Sequence, residues 1–548
     1  MNVETLVRLR VRTLDVVVGA GFLLAAVVLL WRLWVDPNGR YLVDGGQDQE
    51  QWQWFFAVTA HQVLGGHNPL FSTLLNHPLG VNLMANTAMF GLGAPLIPVT
   101  VLLGAGFTWA IVLTLGLAGS AFAWYWLFSR QLVASRTAAA AGAAFCGFAP
   151  AIISHANAHP NFVVLAVIPL LLLRRPPGRR TAVTLGLLLA YQVFLGEEIM
   201  LLAATGLAIF GVLHGPRDGL AFCRRYLPTL ALAAAIALAV TAIPLAWQFV
   251  GPQSYHHLVH GPAANDPAAF TAFSSRSLAG DPAQAGQLSM NPTEENAFFG
   301  WPLLIVALGI TIALRRRRPV RILAGLTIIA AWLSAGVPSP WLLIRHLPLY
   351  DSVIESRLAL ICVPAIGALL ALGIDRLRGD DAGPVRRLGY AVLAAALLPI
   401  VPTPLIAQDR PETPAFFAHG LWRQYVAAGR SVVPAPPPDP GNAVAMGWQV
   451  AAGFGFALPE GYFVGPRGPS DSGGYGADPR PTATALRQVA AGGECALSEQ
   501  QLHADLDYWK AGAVVLDTGQ DGLRTCLDSL LGPAQLVGGV WVWPVGDR

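Results

Sequence analysis

Lysine is nearly missing from this chain: of 35 basic residues only Lys510 is one. With abundant alanine, that bias reflects GC-rich coding and carries no functional signal. Charge of either sign is scarce, at 12% of residues against 54% apolar, and mean hydropathy is +0.51. This balance excludes an ordinary soluble domain. Repeated apolar runs of spanning length imply an α-helical polytopic membrane protein. No glycine-rich phosphate loop occurs on the side read as cytoplasmic, which argues against a cytoplasmic nucleotide donor. No repeat of fixed period is present, so a solenoid is excluded. Nothing points to nucleic acid. Cysteines number five. Cys146, Cys223 and Cys362 sit in or beside apolar segments and read as packing residues. Cys495 and Cys526 lie in the polar C-terminal region and suit a disulfide if that region is outside the cytoplasm.

The stretch Tyr41 to Phe56, YLVDGGQDQEQWQWFF, follows the first apolar segment directly. It sets Asp44, Asp48 and Glu50 beside a membrane face, then runs into Trp52, Trp54, Phe55 and Phe56. Carboxylates at a bilayer surface are costly unless solvated or used. The aromatics suit a surface-lying helix from about Asp48 to Leu64 with its rings at headgroup level.

Arg8, Arg10 and Arg12 put the N-terminus in the cytoplasm, and Leu14 to Val35, longer than a signal core and without a clear cleavage site, reads as the first span. Residues 36–87 form the first outer loop. Ala88 to Leu103 is short and carries Pro95 and Pro98, so it reads as a broken, re-entrant or surface-lying segment. Ten further spans follow, at about 107–128, 137–153, 162–173, 181–195, 199–213, 226–250, 298–314, 322–337, 358–374 and 388–406. With these eleven spans the arginines gather on the inside. On the outer loops or outer helix ends of the spans lie only Arg32, Arg40, Arg276, Arg345 and Arg357, as the charge rule favours. The long loop Gly251 to Ala297 is rich in Pro, Gly, Ser, Asn and His and reads as a mobile or substrate-covering loop. Residues 1–407 then form the membrane domain. Residues 408–548 form an extracytoplasmic α/β domain, with strands near Ser431–Val433, Ala513–Leu516 and Val540–Trp543.

The unusual polar residues collect on the outer face. Asp44, flanked by a glycine pair, reads as a general base or as a simple turn residue. Asp48 and Glu50 fit the solvated face of the surface helix. With Asn68 and His77 from the irregular rest of the loop, they are candidates for facing an acceptor. His155 and His159 either meet the donor phosphate or cap a helix in water. Glu197 and Glu198 sit on a hairpin too short to lift both from the bilayer. Arg357 can grip a phosphate through paired hydrogen bonds, or pair with Glu355 or Asp351. Asp44, His155, His159 and Glu197 would suit a divalent ion, but no spacing demands one, so no cofactor is required.

One span, an outer loop opening with an aspartate, surface helices, a multi-span body and an outer C-terminal domain together resemble the GT-C superfamily of integral membrane glycosyltransferases. NPLFSTLLNHPLGVNL, SHANAHPNF, FFGWPLL and ESRLALICVPAIGALLALGIDRL resemble its bacterial members that use polyprenyl-phosphate sugars. The resemblance implies a bacterial plasma-membrane enzyme that moves a sugar, with inversion, to a cell-envelope glycan or lipid acceptor. The family's first-loop aspartate falls on Asp44, which would deprotonate the acceptor hydroxyl, and Arg357 is the candidate for the donor phosphate. The family's second acidic residue has no counterpart in the SHANAHPNF loop, so either Glu197 or Glu198 would stand in or this branch does without it. Two rivals are a flippase or transporter for a lipid-linked sugar and a non-catalytic scaffold of the same fold.

Overall fold

A backbone removed from water must bond to itself, and the apolar runs accordingly form helices. The computed structural model describes residues 11–261, 263–379, 383–468 and 472–546. Arg8, Arg10 and the side chain of Cys223 lie outside the described residues. The chain divides into two units: Met1–Gly46 with Trp109–Thr241 and His260–Gln408, and Gln47–Thr108 with Ala242–Val259 and Asp409–Arg548.

Each of the eleven expected segments carries helix. Among the described residues, Ala105–Gln131, Glu197–His214, Arg224–Val250 and Glu355–Arg378 are long and apolar enough to cross a membrane. The segment expected at 137–153 is two helices, Arg136–Phe148 and Pro150–His155. Pro150 has no N–H to continue the first helix and forces Ala149 into extended backbone, ψ 151°. In the first unit, Cys362–Gly379 packs along Arg136–Phe148. They approach so closely that a Cβ on Gly142 would strike the Gly367 carbonyl, the small-residue contact typical of membrane helices. Asp15 is fully buried and accepts hydrogen bonds from Arg130 (2.9 Å), Tyr125 (2.5 Å) and Arg136. This ties the first helix to its neighbours.

In the second unit, the helix Asp48–Leu64 has the expected bounds but not the expected setting. Trp54, Phe55 and Phe56 are fully buried, and Trp52 nearly so. Trp54 donates to Gln449 at 2.7 Å. The aromatics therefore form protein core, not a headgroup belt. Asp48 and Glu50 are not a solvated face either: Tyr462 donates to Asp48, and Arg410 pairs with Glu50. Burial raises the Glu50 carboxyl, an effect Arg410 opposes. Residues 88–103 are broken, with helix only at Phe90–Gly93 and Ile97–Leu103.

The α/β part has a sheet ordered Ser431–Pro434, Ala511–Asp517, Val540–Pro544, Gln535–Val537. The first pair is parallel and the others antiparallel. The fourth strand was not expected. It forms because Gly538 and Gly539, both at positive φ (55° and 89°), make a two-residue hairpin turn. Helices Pro481–Ala490, Glu499–Tyr508 and Asp521–Leu531 supply Leu486, Leu506 and Leu527 to the core beside Val514 and Leu516. Cys495 and Cys526 form a disulfide with Cα atoms 5.6 Å apart, and Cys146 and Cys362 are buried and unpaired.

Candidate functional site

The first unit gathers its polar residues from four segments. Pro150–His155 ends in a turn in which His159 N bonds to His155 O at 2.7 Å. That turn brings the two imidazoles to 5.2 Å between ring centres. The chain before helix Trp301–Ala313 supplies Glu294, Glu295 and Asn296, all buried. Ser154 clamps this chain, donating to Pro292 O at 2.7 Å and accepting from Glu295 N at 3.0 Å. Helix Glu197–His214 brings Glu198, and the short 3-10 helix Glu355–Ile361 brings Arg357.

Arg357 is the hub. Its Nη2 is 2.5 Å from Glu294 Oε1, and its Nη1 is 2.7 Å from Glu198 Oε2. Its guanidinium carbon lies 4.5 Å over the Phe162 ring. Neither Glu355 nor Asp351 is the main partner. The cation is already matched by two carboxylates, so it does not stand ready as a bare phosphate grip. Burial by itself would raise the Glu294 carboxyl. Arg357 and the two imidazoles outweigh that and hold it well below the usual carboxylate range.

His155 does not cap a helix in water. It is fully buried and stacked on Phe162, 4.6 Å between centres, and burial pushes its pKa down to about 3. Its Nδ1 is 3.0 Å from His159 Nδ1, and its Nε2 is 2.8 Å from Asn296 Oδ1. His159 Nδ1 is 3.6 Å from Glu294 Oε1.

Asp44 sits in the turn Val43–Gly45, fixed by a bond from Val43 N to Ile406 O at 2.9 Å. Arg276 Nε donates to Asp44 Oδ2 at 2.5 Å. Glu295 accepts from Ser275 N (2.9 Å) and Ser275 Oγ (2.5 Å). Burial pushes Glu295 up to about 7 against those bonds; nearby Asp44 adds to the rise and Arg276 opposes it. The site thus holds one carboxyl kept ionised and, next to it in sequence, one poised near neutrality. That split is what acid–base chemistry needs.

The ligand atoms of His155, His159 and Glu294 lie within 4.8 Å of one another. Two nitrogens and a carboxylate oxygen suit a divalent cation such as Zn or Mn. The expected set of Asp44, His155, His159 and Glu197 is thus replaced, on geometry, by His155, His159 and Glu294.

Of the residues singled out from sequence, the first unit holds Asp44, His155, His159, Glu197, Glu198 and Arg357. Arg357 joins Glu198, and His155 joins His159. Asp48, Glu50, Asn68 and His77 belong to the second unit. There Asn68 Oδ1 caps its own turn at Leu70 N (2.9 Å), and His77 Nδ1 meets Thr73 O at 3.2 Å. Burial lowers the His77 pKa. Glu294, Glu295, Asn296, Ser275 and the pairing of Arg276 were missed. The 251–297 loop is more than a cover, because it delivers the buried carboxylates. Its TEEN sequence just before an apolar helix carried the same signal as Gly196-Glu197-Glu198: adjacent acids where the bilayer penalises them.

No family model matches the sequence, and no curated protein does. Solved structures match in fold. AglB, the oligosaccharyltransferase of the archaeon Archaeoglobus fulgidus, in complex with an inhibitory peptide and a dolichol-phosphate, matches at TM-score 0.51 and 13% identity, over 94% of this chain and 71% of that one. The A. fulgidus oligosaccharyltransferase tethered to an acceptor peptide matches at TM-score 0.50 and 13% identity, over 95% and 71%. Its complex with Zn and sulfate matches at TM-score 0.51 and 12% identity, over 94% and 70%. At these identities the likeness speaks for the fold. The chain shares the fold of this archaeal oligosaccharyltransferase.

Proposed function

We propose that the protein is an inverting membrane glycosyltransferase that moves a sugar from a polyprenyl-phosphate donor to an extracytoplasmic acceptor. The observation that carries this reading is Asp44, held by Arg276 at 2.5 Å in a unit that also gathers Arg357, Glu294 and two histidines. Such a group of largely buried charges is costly to the fold and is a mark of a functional site. Eleven spans with a cytoplasmic N-terminus, residues 1–407 as the body and 408–548 outside a bacterial plasma membrane complete the reading. The Cys495–Cys526 disulfide supports an oxidising side for the C-terminal residues.

In the reaction the acceptor oxygen attacks the anomeric carbon, and the bond from that carbon to the phosphate oxygen breaks. Asp44 takes the acceptor proton, and polyprenyl phosphate leaves as an anion. The donor phosphate would reach Arg357 at Nη1, which Glu198 now holds. A divalent ion on His155, His159 and Glu294 would supply positive charge to the leaving phosphate.

The acceptor class follows from the cell-envelope resemblance: a glycan or a lipid. A second reading, a peptide acceptor, is favoured by the solved neighbour that is tethered to one. The experiment is sugar release from a panel of polyprenyl-phosphate sugars, with membrane glycolipid or peptide as acceptor. Transfer from one donor names the sugar, and the acceptor that gains it names the class. Lipid-linked sugar crossing the bilayer without transfer would favour the flippase. Binding without either would favour the scaffold.

A further inference from the structure

His155 and Asn296 are both fully buried, with His155 Nε2 2.8 Å from Asn296 Oδ1. Which atom carries the proton follows from the other end of the amide. Asn296 Nδ2 donates to Glu294 Oε2 at 2.8 Å and to Ser356 Oγ at 3.2 Å. Turning the amide over would set its oxygen against the Glu294 carboxylate, oxygen on oxygen. Oδ1 therefore faces the imidazole, and an oxygen in that position requires a proton on Nε2. A ring with its single proton on Nε2 has a bare Nδ1, the acceptor that a 3.0 Å approach of His159 Nδ1 calls for. Nδ1 keeps its lone pair. Stacking on Phe162 fixes the ring plane.

We propose that Asn296 is a positioning residue that locks His155 in its Nε2–H tautomer and so presents a bare Nδ1, with His159 and Glu294, to a divalent cation. This rests on the cation reading of the cluster given above. Two ring nitrogens 3.0 Å apart share either a proton or a cation. Without the ion, His159 donates its Nδ1 proton to His155 Nδ1. A divalent cation would be held by His155, His159 and Glu294, with the His159 proton then on its Nε2. Asn296 thus acts through His155, as outer partners of metal-ligating histidines do.

The test uses the full chain in nanodiscs with ¹⁵N-histidine, comparing wild type, Asn296→Ala and Asn296→Gln. Imidazole ¹⁵N shifts report the tautomer, and Mn²⁺ titration followed by EPR reports affinity. Asn296→Ala is expected to lose the Nε2–H signature and to weaken Mn²⁺ binding roughly 10- to 100-fold. Asn296→Gln keeps an amide, with an oxygen for His155 and an N–H for Glu294, and is expected to retain the tautomer. An Asn296→Ala protein with wild-type unfolding temperature, tautomer and affinity overturns the proposal. If Asn296→Ala does not fold, Asn296→Gln decides: the wild-type tautomer supports the proposal and an Nδ1–H tautomer overturns it. Failure of Mn²⁺ to bind the wild type overturns the cation reading, while the imidazole spectrum still decides the role of Asn296.

Discussion

Arg357 and Glu294 form an ion pair: Nη2 lies 2.5 Å from Oε1, and the Glu294 side chain is only 1% exposed. Removing the cation leaves Glu294 and Glu198 facing each other. Arg357→Met is expected to destabilise the protein by ~3–5 kcal/mol, because an uncompensated charge remains buried. Thermal unfolding in detergent reads this. Arg357→Lys should rescue little, since a lysine lacks the fork that serves both carboxylates. Arg357→Met combined with Glu198→Gln should cost less than the two singles added.

Asp15 makes a prediction at the other group of buried charge. It bonds Arg130, Arg136 and Tyr125 with no exposure of its own. Asp15→Leu leaves two arginines without their anion and should cost about 3–5 kcal/mol. The yield of folded protein and its unfolding temperature both report the loss. An unchanged unfolding temperature would show that water, not Asp15, satisfies those arginines.

Asp505 predicts a pH dependence in the α/β part. Burial alone would raise its carboxyl. Bonds from Thr482 N (2.9 Å) and Arg480 Nε (2.6 Å) outweigh burial and lower it. A carboxyl lowered in the fold adds stability that is present above its unfolded value of ~3.9 and lost as pH falls through the folded value. Wild type should therefore lose stability on acidification below about pH 4 more steeply than Asp505→Asn. Parallel curves would remove Asp505 from the account.

The disulfide closes a sequence separation of 31 residues. Cys495→Ser with Cys526→Ser should cost about 3–4 kcal/mol on chain-entropy grounds. Reductant should lower the unfolding temperature of wild type and leave the double variant unmoved.

The helices were legible because apolar length is written directly in the chain, and Asp48–Leu64 was found to the residue. Its setting was not legible. Trp52, Trp54 and Phe55 read the same whether they meet lipid headgroups or protein, and only Gln449 and the C-terminal core decide it. Asp44 and Arg357 stood out because each sits where a membrane penalises charge. Their partners did not. Arg276 and Glu294 lie 232 and 63 residues away in sequence from the groups they bond, and no local pattern carries such pairings. The Gly538-Gly539 pair was a readable hairpin signal that the run of strand residues around it masked.

The central claim is that Asp44 takes the acceptor proton. The measurement is turnover of a polyprenyl-phosphate sugar by wild type and Asp44→Asn, with unfolding temperatures matched. A fall of about 10²–10⁴-fold, the usual contribution of a general base, is the predicted result. Equal turnover in the two proteins would contradict it.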